Sequence, residues 1–93
     1  MTDVANLTEA ERHVRYVRLA LTALRGLEDK KRVARALGIS VRTLEAHATD
    51  VGAKGHRPIK SGRLAHLMTM AGDAHRFAAE EMERAARRLE TAA

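Results

Sequence analysis

Five histidines are the side chains here with the widest chemical repertoire, and their spacing decides what that repertoire amounts to. His13, His47, His56, His66 and His75 are scattered along 93 residues with no HxxxH or HxH pair, and there is no cysteine. Zinc needs three or four converging nitrogen, sulfur or oxygen ligands, and this spacing spells no such set. No metal and no cofactor are expected. The sequence also lacks a serine elbow with His and Asp partners, a Gly-rich phosphate loop, and a pair of carboxylates that a short helical chain would close into a cleft. The expectation is a protein that is not an enzyme, with His47 filling an interior helix position and its ring hydrogen-bonded to backbone.

The chemistry that remains is that of charge. The net charge of +5 is unevenly placed: residues 1–29 carry −1, 30–53 carry +3, 54–63 carry +4, 64–73 carry −1, and 74–93 balance. All the positive excess lies between Lys30 and Arg63. A solubility pattern would be spread evenly, whereas a concentration of this kind is the footprint of phosphate binding. Tyr16 and Phe77 are the only aromatic residues, too few for the stacking platforms that hold single strands. Double-stranded DNA is the expected partner.

The elements that must position this charge meet in Lys30 to Asp50. Val33, Ala34 and Leu37 form one apolar helix face, with Lys30, Lys31, Arg32 and Arg35 off it. Gly38 follows the last apolar residue, where a left-handed conformation closes a helix at no steric cost. Ser40 is placed to cap a second helix beginning at Val41, although Thr43 stands where a full capping box has Glu or Gln. Ala34 is small enough for the helix crossing, and Ile39 and Leu44 pin turn to helix. Two helices joined by about three residues make the angled pair that sets its second helix in the major groove. Ser40, Val41, Arg42 and Thr43 are expected at the DNA, Arg42 and Thr43 on phosphate, and Glu45, Ala46 and Thr49 at base edges.

The stretch Val33 to His47, VARALGISVRTLEAH, resembles the reader motif of the LuxR type of bacterial transcription factor. That resemblance implies a helix-turn-helix in which Glu45, Ala46 and Thr49 face the bases and His47 packs inward. LTEAER (Leu7 to Arg12) is similar to the same family's opening. From there this chain takes several more residues to reach the glycine, so what is implied is confined to the reader. LMTMAGD (Leu67 to Asp73), preceding a last helix, loosely resembles small phage CII-type regulators.

Around the reader, Thr8 and Glu11 spell a capping box. Val14, Val17, Leu21 and Leu24 then recur at helical steps up to a stop at Gly26. Arg12, Arg15, Arg18 and Arg25 lie mostly off that stripe and are expected to form a solvated face with Glu9 and Glu11. Asp29 is placed to cap the next helix. The recognition helix is expected to end near Gly52, and residues 52–60, with Pro58, to form a loop. Lys54, His56, Arg57 and Lys60 are expected to reach DNA from it. Ser61 is placed to cap a fourth helix, and Gly72 with Asp73 to break it and cap a fifth running from Ala74 to about Thr91. Phe77, Ala78, Met82, Ala85 and Leu89 give the fifth a heptad-like seam expected to join chains.

The expectation is therefore an all-α fold, a single domain over 1–93: a helix-turn-helix core at about 7–53, a basic loop at 54–63 and oligomerisation helices at about 61–91. No apolar run suits a membrane span and no signal peptide is visible. The expected setting is the cytoplasm of a bacterial or phage-infected cell, at the nucleoid. The function expected is a sequence-specific transcriptional regulator acting on double-stranded DNA as a homodimer or homotetramer, possible transcription machinery being a further partner. The alternatives are a phage small terminase-like packaging subunit, in which the same helix pair is mounted on a ring, and a non-specific architectural DNA binder.

Overall fold

The computed structural model describes residues 7–92, which form α1 (Glu9–Leu24), α2 (Lys30–Leu37), α3 (Val41–His47) and α4 (Ser61–Ala92), with no strand among them. The start of α1 is fixed by its cap. Thr8 Oγ1 accepts from the Glu11 N–H at 3.1 Å and the Glu11 carboxylate accepts from the Thr8 N–H at 3.0 Å, so two of the amides that a helix start leaves unpaired are satisfied reciprocally. Val14, Val17, Ala20 and Leu24 face inward along one stripe. Past Leu24 the chain reverses through Gly26, whose φ of 82° suits glycine. The N–H groups of Leu27 and Glu28 both return to the Leu24 carbonyl at 2.9 Å. The Asp29 carboxylate then accepts from the Lys31 N–H at 3.2 Å and starts α2.

The break expected at Gly72 and Asp73 is absent. One continuous helix of 32 residues replaces the expected fourth and fifth, so the described residues hold four helices. A helical glycine costs only about 1 kcal/mol relative to alanine, and packing on both sides outweighs it. Leu64, Leu67 and Ala71 are buried before it, and Met70 and Ala74 pack against the core around it. One turn later the His75 Nε2–H donates to the Ala23 carbonyl at 2.8 Å, taking up one of the acceptors left at the end of α1. Asp73 pairs with Arg76 on the same helix and caps nothing, and Ser61, expected as a cap, is instead the first residue of α4.

Helices α1 and α4 lie side by side and run the same way: Pro58 and Ile59, just before α4, flank Thr8 to Val14, and His75 meets Ala23. Between them sit Val33, Ala34 and Leu37 of α2 and Leu44 of α3, which join Val17, Leu24 and Leu67 in one cluster. Past His75, α4 outruns α1 by about 17 residues, or ~25 Å at the helical rise. From Ala79 to Ala92 every residue is exposed.

Candidate nucleic-acid interface

Between α2 and α3 the turn has the geometry its residues call for. Gly38 adopts φ 73° and ψ 28°, its N–H bonding into the last turn of α2, and the Ile39 N–H reaches the Ala34 carbonyl at 3.0 Å. Ser40 is extended, and its Oγ accepts from the Thr43 N–H at 3.1 Å. The hydroxyl of Ser40 donates to Thr43 Oγ1 at 3.0 Å, so threonine answers the cap where a full box would have Glu. A seven-residue helix does not hold itself in water. It persists here because Leu44 and His47 are buried beneath it, Val41 packs on the core, and both ends are tied.

The far end of α3 corrects an expectation: the helix stops at His47, five residues before Gly52. Its final carbonyls are met by other parts of the chain. The Ala46 carbonyl accepts from the N–H groups of Thr49 at 3.3 Å and Arg57 at 3.2 Å. Arg18 of α1 donates through Nε to the Ala48 carbonyl at 2.7 Å and through Nη2 to Asp50 at 2.5 Å. A guanidinium at a helix C-terminus also complements the partial negative charge there. Arg18 is exposed, as expected, but its guanidinium is engaged within the chain. It clasps α1 to the end of α3, a role visible only once the fold brings residues 30 apart together.

Residues 52–60 form the expected loop, and it is fastened. The His47 Nδ1–H donates to the Arg57 carbonyl at 2.7 Å, and the His56 Nδ1–H to the Thr49 carbonyl at 2.9 Å. Because a carbonyl only accepts, each of these ring nitrogens carries its hydrogen. Ile59 is buried and anchors the loop to the core. His13, His47 and His56 line one groove beside the start of α1, and His47 Nε2 is buried there without a partner. No three His, Asp or Glu side chains among the described residues converge as metal ligands.

The residues expected at DNA therefore separate into two groups. Arg42, Glu45, Lys54, Arg57 and Lys60 are exposed, and among the described residues none of these side chains lies within 4 Å of an opposite charge. The others are committed elsewhere. Val41 is turned to the core, and Ser40 and Thr43 hold the cap. Ala46 is half-buried under the loop, the Thr49 hydroxyl donates to the Glu45 carbonyl at 3.1 Å, and His56 closes the loop. What α3 offers outward is a cation and a carboxylate three residues apart, with the loop cations of Lys54, Arg57 and Lys60 following. No family model, no curated protein and no solved structure matches this chain.

The seam residues of α4 are also accessible: Phe77 is 65%, Met82 66% and Leu89 72% exposed. Ala85 is exposed and Ala78 half-buried. One further residue that positions the site, Asp50, carries no signal in sequence, since it acts through Arg18 on a distant element.

Proposed function

We propose that this protein is a sequence-specific double-stranded DNA-binding regulator of transcription that acts as a homo-oligomer, reading DNA with a helix-turn-helix made of α2 and α3. The observation that carries this reading is the outer surface of α3 and its loop: Arg42, Lys54, Arg57 and Lys60 are exposed without carboxylate partners among the described residues, on a backbone tied at both ends. Unpaired surface cations fixed to a rigid frame are what phosphate contacts require, and a fixed register is what base reading requires. Arg42, Lys54, Arg57 and Lys60 hold backbone, and Glu45 reaches a base edge, where it accepts from a cytosine amino group. Ser40 and Thr43 hold the cap that orients Arg42.

The test is selection of binding sites from random duplex DNA followed by titration of two variants. Glu45→Ala relaxes preference at one base position by ~1–3 kcal/mol. Arg42→Ala weakens all sequences about equally and lowers the salt slope by about one. If selection enriches no sequence while duplex is still bound, the protein is an architectural binder. If both variants bind as the parent does, α3 is not the reader.

A further inference from the structure

The exposed half of α4 continues a stripe that its first half uses internally. In one heptad frame, Met68, His75, Met82 and Leu89 share the first core position, and Leu64, Ala71, Ala78, Ala85 and Ala92 the second. Along the first half this stripe faces the chain's own core: Leu64 and Ala71 are buried, Met68 packs against that cluster, and His75 reaches Ala23 at the end of α1. Where α1 stops, the stripe goes on uncovered. Beside it lies a groove walled by Leu27, Ala74, Phe77, Ala78 and Met82, in which Leu27 and Phe77 are exposed.

We propose that a second copy of this chain covers this stripe with its own α4 running antiparallel, the two-fold axis passing between Met82 and Ala85, so that Leu89 of the second copy enters the groove at Ala78. The inference rests on the reading of α4 as the oligomerising helix and adds its orientation and register.

Size and charge both select this arrangement. Antiparallel pairing sets each residue of the first core position against one of the second. In this register Met82 meets Ala85 of the second copy, Leu89 meets Ala78 and His75 meets Ala92, so every layer joins a large residue to a small one. A parallel pairing would stack Ala on Ala and Leu on Leu, leaving voids beside crowded layers.

The flanking positions are Glu81 and Arg88 on one side and Ala79 and Ala86 on the other. An antiparallel pair brings like flanks together, so Glu81 meets Arg88 of the second copy twice, once at each end. Ala79 meets Ala86 on the other flank and lets the backbones approach. A parallel pair brings unlike flanks together, opposes Glu81 to Ala86 and forms no ion pair. The second copy's helix then fills, along the outer half of α4, the place that α1 fills along the inner half.

The absence of cysteine makes the geometry directly readable. The full-length chain is expected to sediment as a dimer at micromolar concentration. Ala78→Cys and Leu89→Cys are prepared singly and mixed in equal amounts under mild oxidant. The antiparallel register yields a disulfide joining the two different variants and no crosslink of either alone, because like positions lie ~16 Å apart along the helix axis.

Charge reversal supplies a second measurement that leaves the seam intact. Glu81→Arg or Arg88→Glu alone raises the dimer dissociation constant roughly tenfold through two like-charge contacts, and the two together restore it to within about threefold of the parent. A dimer in which each cysteine variant crosslinks to itself, or in which the double reversal gives no rescue, overturns the orientation and leaves the oligomer reading standing. A parent that is monomeric overturns both, and its groove then takes some other protein.

Discussion

His47 is a structural tether, as its place on the inner face of α3 leads one to expect. Its ring lies beneath α3, with Nδ1–H on the Arg57 carbonyl and Nε2 buried. His47→Ala therefore removes a buried ring and leaves the Arg57 carbonyl unmet, and chemical denaturation is expected to register a loss of about 2–3 kcal/mol. Arg18→Ala should behave differently. Its pair with Asp50 is solvent-exposed on both sides, so the loss stays below about 1 kcal/mol. Because Arg18 is occupied at Ala48 and Asp50, the salt dependence of DNA binding should keep its slope in that variant, whereas a phosphate ligand would lower it. The inward role of His47 was legible because it falls three residues after Leu44 on the buried face. The role of Arg18 was not, since a basic residue off the apolar stripe of a helix carries the same local signal whether it meets solvent, phosphate or a carbonyl thirty residues away.

At the scale of the elements, most of the capping chemistry was legible, and a glycine inside a helix was not. Thr8 with Glu11, Asp29, Gly38 and Ser40 each mark a boundary where the fold has one, because a cap acts within four residues of its own position. Gly72 misled for the opposite reason: whether a helical glycine breaks its helix depends on what packs around it. Gly72→Ala is accordingly expected to stabilise the protein by about 0.5–1 kcal/mol, the added methyl meeting nothing closer than Arg76 at 3.7 Å. A loss of stability in thermal melts would mean that the helix needs flexibility at that point.

The same locality gives the start of α1 a pH dependence. The Glu11 carboxyl titrates below its ordinary value, first because the Thr8 backbone N–H and then because the Thr8 side chain favours its charged form. A folded pKa lowered in this way contributes stability above the unfolded value of ~4.3, and the contribution is lost as pH falls through the folded value. Protection of the amides at the start of α1, measured as exchange relative to the intrinsic rate at each pH, should therefore fall in acid. In Glu11→Gln, which keeps the acceptor but cannot titrate there, that dependence should be flattened.

For the whole molecule, the proposed dimer fixes how far apart two copies of α3 are held. The end of α3 is fastened through His47, Ala46 and Arg57 to the residues just before Ser61, so α3 sits at the N-terminal end of α4. In the proposed antiparallel dimer the two-fold axis lies between Met82 and Ala85, about 22 residues from Ser61. At ~1.5 Å per residue that is ~34 Å on each side, and the two copies of α3 are ~68 Å apart when the paired helices run along the duplex. One turn of B-DNA spans ~34–36 Å, so this separation is two turns and returns both copies to the same face. The operator is therefore expected to be an inverted repeat with half-site centres ~20 bp apart, occupied by two chains. Footprinting of the purified protein with binding stoichiometry at moderate salt measures both quantities. Half-sites ~10 bp apart would require the two N-terminal ends of α4 to lie close together and would exclude the antiparallel seam. Direct repeats occupied by eight or more chains would replace the two-fold regulator with a ring, the geometry of a packaging subunit, whose affinity would come mainly from salt-sensitive phosphate contacts.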